Sequence, residues 1–248
     1  MAVDAGASTP EKKYTLAKKI DDTPEVLVAR FDPADGKPMD FDPGMFAMLF
    51  GIDSTGKKYI GRAFSISSDP STPELEFFIV KEHMVGNIMH TSHFVDAKIG
   101  DVFMVRGPHG QFKFDPAKDP KVLFIAGGTG LAPFMSMLRH IEMTGAKTNV
   151  KLIYSIKYPT EIIRKDELMQ VIRDIGAEIH ITVTRPQPAD NWTSLTGHVN
   201  ADMIRNCSAD CNERMCYICG PLPFVKAVKD ALAALGIPPQ RISADVWG

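Results

Sequence analysis

The chain has 248 residues, enough for one large domain or two of ordinary size. With 44% hydrophobic and 23% charged residues it is globular rather than disordered. Its 28 basic and 30 acidic residues leave a net charge of −2, without the basic field that would hold a nucleic-acid backbone. No apolar run reaches the roughly 18–20 residues of a membrane span. Residues 1–13 lack the apolar stretch of a signal peptide, and four cysteines in a chain this long do not make a disulfide framework. A soluble, cytoplasmic, two-domain protein is expected, with no nucleic-acid partner.

Up to about residue 114 the apolar segments are short. Strands are predicted over 14–20, 26–30, 45–50, 63–67, 75–80 and 102–106, with a loop and short helix at 86–94. Between them lie Asp32-Pro33, Asp35-Gly36, Asp42-Pro43-Gly44, Ser54-Thr55-Gly56 and Asp69-Pro70, each suited to a turn. Such spacing predicts a small antiparallel barrel or sandwich.

From Lys121 the rhythm changes. The unbroken apolar run 122–126 suits a strand buried on both faces, and Gly127-Gly128-Thr129-Gly130 leads from it into a helix over 133–142. Further buried strands are predicted over 150–155, 178–183 and 215–219. Helices are predicted over 161–175 and 225–235, the second stopped by Gly236 and Pro238-Pro239. Alternating strands and helices imply a doubly wound, mostly parallel sheet. The polar, Pro-bearing stretch 115–120 is the natural linker, dividing the chain into 1–115 and 116–248.

Three places could carry chemistry. At Gly127–Gly130 backbone N–H groups can approach a pyrophosphate at a helix N-terminus, or the glycines can simply pack helix on strand. The turn lacks the full Gly-x-Gly-x-x-Gly fingerprint. Cys219 ends its strand before Gly220-Pro221, where a thiol could face the crevice at a switch in strand order or fill the core. In Arg62-Ala63-Phe64-Ser65, alternation puts Arg62 and Phe64 on one face, an arginine for phosphate beside a ring for stacking. Phe64 as plain core is the alternative.

Taken in order, these pieces resemble the ferredoxin–NADP⁺ reductase superfamily. The landmarks are Phe41-x-Pro43-Gly44-Met45-Phe46, Arg62-Ala63-Phe64-Ser65, Gly107-Pro108-His109-Gly110-Gln111-Phe112, Gly127 to Pro133, Cys219-Gly220-Pro221 and Ser243-Ala244-Asp245-Val246-Trp247-Gly248. The resemblance implies an N-terminal antiparallel Greek-key barrel binding FAD, followed by a doubly wound domain binding NADPH or NADH. It implies Arg62 on the FAD pyrophosphate, Phe64 (usually Tyr in the family) on the flavin ring with Ala63 beside it, and Ser65 near flavin N5. A second phosphate loop is implied at Gly86, Asn87, Ile88, Met89, His90 and Thr91. Gly128, Thr129 and Gly130 would line the nucleotide, with Cys219 beside nicotinamide C4. Asp245 would support proton movement, and Trp247 would cover the flavin until a nicotinamide ring displaces it. An aromatic stack contributes only ~0.5–1.5 kcal/mol beyond its area, so displacement is affordable. Thr184-Arg185 sits where some relatives contact a 2′-phosphate, a lean towards NADPH.

The cysteines admit another reading, because Cys211-x4-Cys216-x2-Cys219 has plant-type [2Fe–2S] spacing and Cys207 is near. Against it, Cys216 and Cys219 lie three apart in an extended strand and point to opposite faces. His90-x2-His93 could be half a metal site or two surface histidines. The leading expectation is an NAD(P)H-dependent FAD reductase serving a separate electron carrier such as a ferredoxin, a flavodoxin or an oxygenase component. The chain is expected to carry no fused ferredoxin domain. A free-flavin reductase, or an electron-transfer subunit inactive alone, are the alternatives.

Overall fold

A computed structural model of the chain describes residues 10–52, 55–81, 84–85, 88–89 and 91–247. In the first half these form β1 (Glu11–Asp21), β2 (Val26–Pro33), β3 (Phe46–Ile52), β4 (Lys58–Ser65) and β5 (Leu75–Val80), then the two-residue strands β6 (Met84–Val85) and β7 (Ile88–Met89). A short helix α1 (Ser92–Val95) and strand β8 (Val102–His109) complete it. The six long strands make one antiparallel sheet in the order β4-β3-β8-β1-β2-β5. β8 returns to lie between β1 and β3, a Greek-key connection. An antiparallel bridge, Ile66 to Phe77, joins the two edges and closes the barrel.

In the second half, β9 (Lys121–Gly127), α2 (Leu131–Thr144), β10 (Asn149–Ile156), α3 (Lys165–Asp174) and β11 (Glu178–Val183) alternate. There follow β12 (Leu195–Thr196), α4 (Ala201–Cys207), β13 (Met215–Pro221), α5 (Leu222–Ala234) and β14 (Ile242–Trp247). The sheet is wholly parallel, in the order β12-β11-β10-β9-β13-β14. Strand order therefore reverses between β9 and β13. The fold class is the expected one, barrel first and doubly wound sheet second.

Period-two alternation explains how the halves join. In β2, Leu27, Ala29 and Phe31 fill the barrel, while Val26 and Val28 pack outside it against α2. In β5, Leu75, Phe77 and Ile79 point in and Phe78 points out. One continuous core thus unites Val26, Val28, Phe78, Phe112 and Phe114 with Phe134 and Met135 of α2. On the far face of the parallel sheet a separate core holds α4 and α5 against Leu123, Ile125 and Ile218.

The same outward face of β2 and β5 carries charge. Arg30 lies opposite Glu76 in register, and its Nε donates to Glu76 Oε2 at 2.7 Å. Arg139 of α2 reaches across, donating through Nη1 to Glu76 Oε1 at 2.8 Å and to the Ser67 carbonyl at 2.6 Å. Its Nε donates to Glu167 Oε1 at 2.8 Å, and Glu167 also holds Arg164. Glu76 is 1% exposed and Arg139 9%. Burial pushes the Glu76 carboxyl up, yet Arg139 and Arg30 outweigh it and hold it below its ordinary 4.5.

Several expectations need correction. The helix predicted over 161–175 is a 3-10 turn, Pro159–Glu161, and then α3 starting only at Lys165. Between them Arg164 takes a left-handed conformation (φ 50°), its N–H donating to Asp22 Oδ2 at 2.6 Å. A contact with the other lobe thus overrides local periodicity. The strand predicted over 63–67 is β4, ending at Ser65, because it pairs with all of β3. Part of the predicted 86–94 loop is the β6–β7 pairing. The sequence reading had no strand for β12 or β14 and no helix for α4, whose Asn200 side chain caps it by accepting from Met203 N at 2.9 Å. Among the described residues no helix is long and apolar enough to cross a membrane.

Because one partner removed leaves a buried charge alone, Glu76→Ala is expected to lose about 3–5 kcal/mol of stability in urea unfolding at pH 7. The depressed carboxyl stabilises the fold above pH 4.5, and that contribution is lost as pH falls through the folded value. Wild-type unfolding midpoints should accordingly fall more steeply than those of Glu76→Gln between pH 6 and pH 3. Parallel slopes would refute the assignment.

Candidate active site

The carboxyl ends of β9 and β13 flank the point where strand order reverses, where doubly wound sheets bind ligands. From β9 the chain passes through a 3-10 turn, Gly128–Gly130, directly into α2. Gly130 must be glycine, since a Cβ there would lie 2.3 Å from the Cys219 carbonyl oxygen of β13. Gly128 has φ +55° with nothing within 4 Å of a Cβ position. No side chain caps the N-terminus of α2. An uncrowded Gly128 ahead of an uncapped 14-residue helix suits an anionic pyrophosphate.

Two clefts open here. The larger, about 620 Å³, runs between the lobes and is lined by Gly127, Gly128, Thr129, Ser155, Lys157, Thr184 and Pro221 on one side. Thr23, Glu25, Val26 and Lys81 line it from the barrel. The smaller, about 180 Å³, is lined by Arg62, Ala63, Phe64, Ser65, Phe78, Thr91 and Ala132. Val80, Thr129 and Trp247 line both.

The structure gathers Arg62, Ala63, Phe64, Ser65, Thr91, Gly128, Thr129, Thr184, Pro221 and Trp247 at these clefts, whereas Gly130, Gly220 and Asp245 line neither. Arg62 to Ser65 enter the smaller cleft from the end of β4, opposite Phe46 to Leu49 of β3. Arg62 Nη1 donates to the Gly61 carbonyl at 3.0 Å. Phe64 serves both readings, lining the cleft while its ring meets Phe94 edge-on at 5.3 Å. Thr91 is buried, and its hydroxyl donates to the Val80 carbonyl at 2.8 Å, so that proton secures the segment to β5. Ile88 and Met89 form β7; Gly86, Asn87 and His90 lie outside the described residues, while His93, the other half of the His90-x2-His93 pair, lies in α1.

Trp247 sits at the junction of the clefts because β14 pairs with β13 in register, Pro221 opposite Trp247 and Cys219 opposite Asp245. Its indole Nε1 is buried and has no hydrogen-bond partner among the described residues. An aromatic donor left open beside two clefts fits a ring-bearing ligand. Burial raises the Asp245 carboxyl above its ordinary value, partly opposed by the Val246 N–H.

Of the two placements open to Cys219, facing the crevice or filling the core, the structure has the second. Cys219 is 0% exposed, packs in the core beneath α2 and lines neither cleft. Burial first, then the Asp245 carboxylate, push its thiol well above the ordinary 9.0, against a smaller pull from the Gly220 N–H. Cys216 lies on the opposite face with Cys207 and Cys211. This parity separates Cys219 from the other three cysteines.

Thr184 N and Oγ1 both donate to the Ile156 carbonyl, at 2.9 and 3.2 Å, which seats Thr184 in the larger cleft. Arg185 is exposed and is not part of that lining. The sequence reading missed Glu25, Lys81, Lys157 and Glu161, charged residues that only the meeting of lobes brings to one cleft.

Comparison with known proteins agrees with this geometry. Residues 124–230 match the family described as the oxidoreductase NAD-binding domain. The stachydrine N-demethylase reductase subunit of Rhizobium meliloti is 31% identical over 222 residues, 89% of this chain and 62% of that protein. NADH-cytochrome b5 reductase 1 of Laccaria bicolor is 30% identical over 236 residues, 94% of this chain and 76% of its own. The FAD/NAD-binding domain of a Vibrio cholerae nitric oxide dioxygenase superposes with a TM-score of 0.81 at 22% identity, covering 98% of this chain and 100% of that one, a likeness of fold. The fold is that of a two-lobed chain in which an antiparallel barrel precedes a doubly wound parallel sheet. The chain belongs to the ferredoxin–NADP⁺ reductase superfamily. It spans less than two thirds of the Rhizobium meliloti subunit.

All four cysteines are free and buried. The native protein is therefore expected to present almost no thiol to an aromatic disulfide reagent at pH 8, and four after unfolding in guanidinium. A rapidly reacting thiol in the native state would contradict the burial of Cys219.

Proposed function

We propose that the chain is an FAD-dependent NAD(P)H oxidoreductase passing electrons between a nicotinamide nucleotide and a separate one-electron carrier. The observation that carries this reading is the junction of two clefts at Val80, Thr129 and Trp247, where two ring-bearing ligands would meet. We assign residues 1–115 to the FAD lobe and 116–248 to the nucleotide lobe. In support, the Tyr217 hydroxyl donates to the Lys113 carbonyl at 3.2 Å and to Asp119 Oδ2 at 2.6 Å, anchoring the connecting segment.

Bound FAD supplies the chemistry of accepting a hydride from a nicotinamide and releasing electrons one at a time. The protein supplies position. Arg62 offers its guanidinium to the FAD pyrophosphate, and Phe64, with Ala63 and Ser65 beside it, supports the ring end of the smaller cleft. The segment Gly86, Asn87, Ile88, Met89, His90 and Thr91 completes the phosphate contacts. Gly128, Thr129 and Gly130 present backbone N–H groups to the nucleotide pyrophosphate, and Gly220 and Pro221 form the facing wall. Trp247 occupies the junction until a nicotinamide ring takes its place. Its departure uncovers β13, where Cys219 stands as a neutral thiol with Asp245 opposite it in register. The relatives named as reductase subunits and as a cytochrome b5 reductase support a separate protein acceptor. The lean towards NADPH from Thr184-Arg185 requires Arg185 to face the nucleotide, and its exposure outside the lining of the larger cleft lends that no support.

An absorption spectrum before and after anaerobic addition of NADPH or NADH tests the reading, which requires a flavin spectrum that bleaches. A protein that takes up no flavin, or whose flavin ignores both nucleotides, overturns it. A lost charge-assisted bond costs ~1.5–3 kcal/mol, so Arg62→Ala should weaken FAD binding by roughly 10–100-fold in ultrafiltration. Cys219→Ala should keep its FAD and slow flavin reduction in stopped flow. An unchanged rate would remove Cys219 from the mechanism.

A further inference from the structure

Two neighbouring residues of α2 grip the barrel just beyond the strand that lines the smaller cleft. β4 ends at Ser65, a lining residue, and the chain runs on through Ser67, Ser68 and Asp69, all buried. Arg139 Nη1 donates to the Ser67 carbonyl at 2.6 Å and to Glu76 Oε1 at 2.8 Å. Ser67 Oγ donates to that same Glu76 oxygen at 2.9 Å, closing a three-way contact. The next residue, His140, places Nδ1 3.2 Å from Asp69 Oδ2. About two turns back along the helix, Ala132 lines the smaller cleft, with Thr129 just ahead of it.

The walls of that cleft therefore belong to different lobes, Arg62 to Ser65 to the barrel and Thr129 and Ala132 to the nucleotide lobe. Apolar contact between Phe78 and α2 brings them together without fixing their register. A guanidinium is planar and presents its donors as a rigid fork. Its bonds to the Ser67 carbonyl, Glu76 and Glu167 hold together in one pose only. We propose that Arg139 is a positioning residue for hydride transfer, which through Ser67 and Glu76 fixes the Ser65 segment against the start of α2 and so sets the separation of the flavin and nicotinamide rings. The proposal rests on the function given above. Arg139 itself lines neither cleft and acts only through these contacts. Transfer needs the reacting atoms at roughly 3–3.5 Å, and a displacement of about 1 Å costs up to about a hundredfold in rate.

Arg139→Lys keeps a cation between Glu76 and Glu167 but removes the fork. In anaerobic stopped flow of the flavin-loaded chain, the limiting rate of flavin reduction at saturating NADPH or NADH should fall about tenfold or more. Bound flavin should be retained, and the half-saturating nucleotide concentration should change less than about twofold. A second readout needs no turnover. Spin labels attached through Lys98→Cys in the barrel and Lys229→Cys on α5, both exposed positions, report the lobes directly, because the native thiols are buried. Pulsed electron paramagnetic resonance should give one narrow distance distribution with Arg139 and a broader one with Arg139→Lys. An unchanged limiting rate, a rate that falls while the distribution stays narrow, or a rate lost in step with bound flavin each overturns the proposal. Glu167→Gln removes the charge from one partner of the fork and should move both readouts the same way by a smaller factor; it decides the matter if Arg139→Lys does not fold. Wild-type flavin that ignores both nucleotides overturns the functional reading instead, and the distance distributions then judge Arg139 alone.

Discussion

A carboxylate and a guanidinium removed from water destabilise a fold unless each finds the other. Glu76 and Arg139 meet that requirement only when barrel and nucleotide lobe are in one relative orientation. Glu76 can lie there because β5 turns one face into the barrel and the other towards α2. Arg139 can reach it because α2 packs its apolar side on Val26, Val28 and Phe78. The apolar contact is non-directional and would tolerate sliding; the bonds to Glu76, Ser67 and Glu167 would not. Orientation of the lobes thus rests on polar geometry embedded in an apolar interface.

That orientation builds the site. Arg30 and Glu76, Val28 and Phe78, and Val26 and Val80 are consecutive partners on a single outward face of the barrel. The first pair locks the lobes, the second packs them, and the third reaches the clefts. Across the gap, the glycine turn stands against the Cys219 carbonyl so closely that β9 and β13 are held at a fixed separation. The site is consequently assembled from strand ends and backbone, with few of its dimensions left to mobile side chains. Charge enters it from both lobes, which meet at the Glu25–Lys157 pair.

Much of this was legible in residue order. The switch from short strands with turn residues to long apolar runs with helices marks the change of architecture near residue 120, and Arg62–Ser65 and Gly127–Thr129 line adjoining clefts. Long-range partners were not legible. Glu76 reads as an ordinary alternating charge in a strand, and Arg139 as a residue on a helix face. The start of α3 is displaced by Asp22, a residue of the other lobe, which no local window contains. Thr91 reads as a free hydroxyl until Val80 is seen to accept its proton. The position of Cys219 at a strand end left crevice and core both open, and only the packing around it decides for the core. Arg214, 2% exposed, gives its guanidinium N–H groups to Asp210, Asn149 and the Val122 carbonyl, fastening the opposite end of the parallel sheet; sequence marks it only as one more cation.

One element touches every part of this arrangement. α2 begins at the glycine turn and carries Arg139 about two and a half turns later, roughly 13 Å along a rigid rod. A strut of that kind holds the uncrowded Gly128 at one end and the inter-lobe contact to Glu76 near the other at a fixed separation.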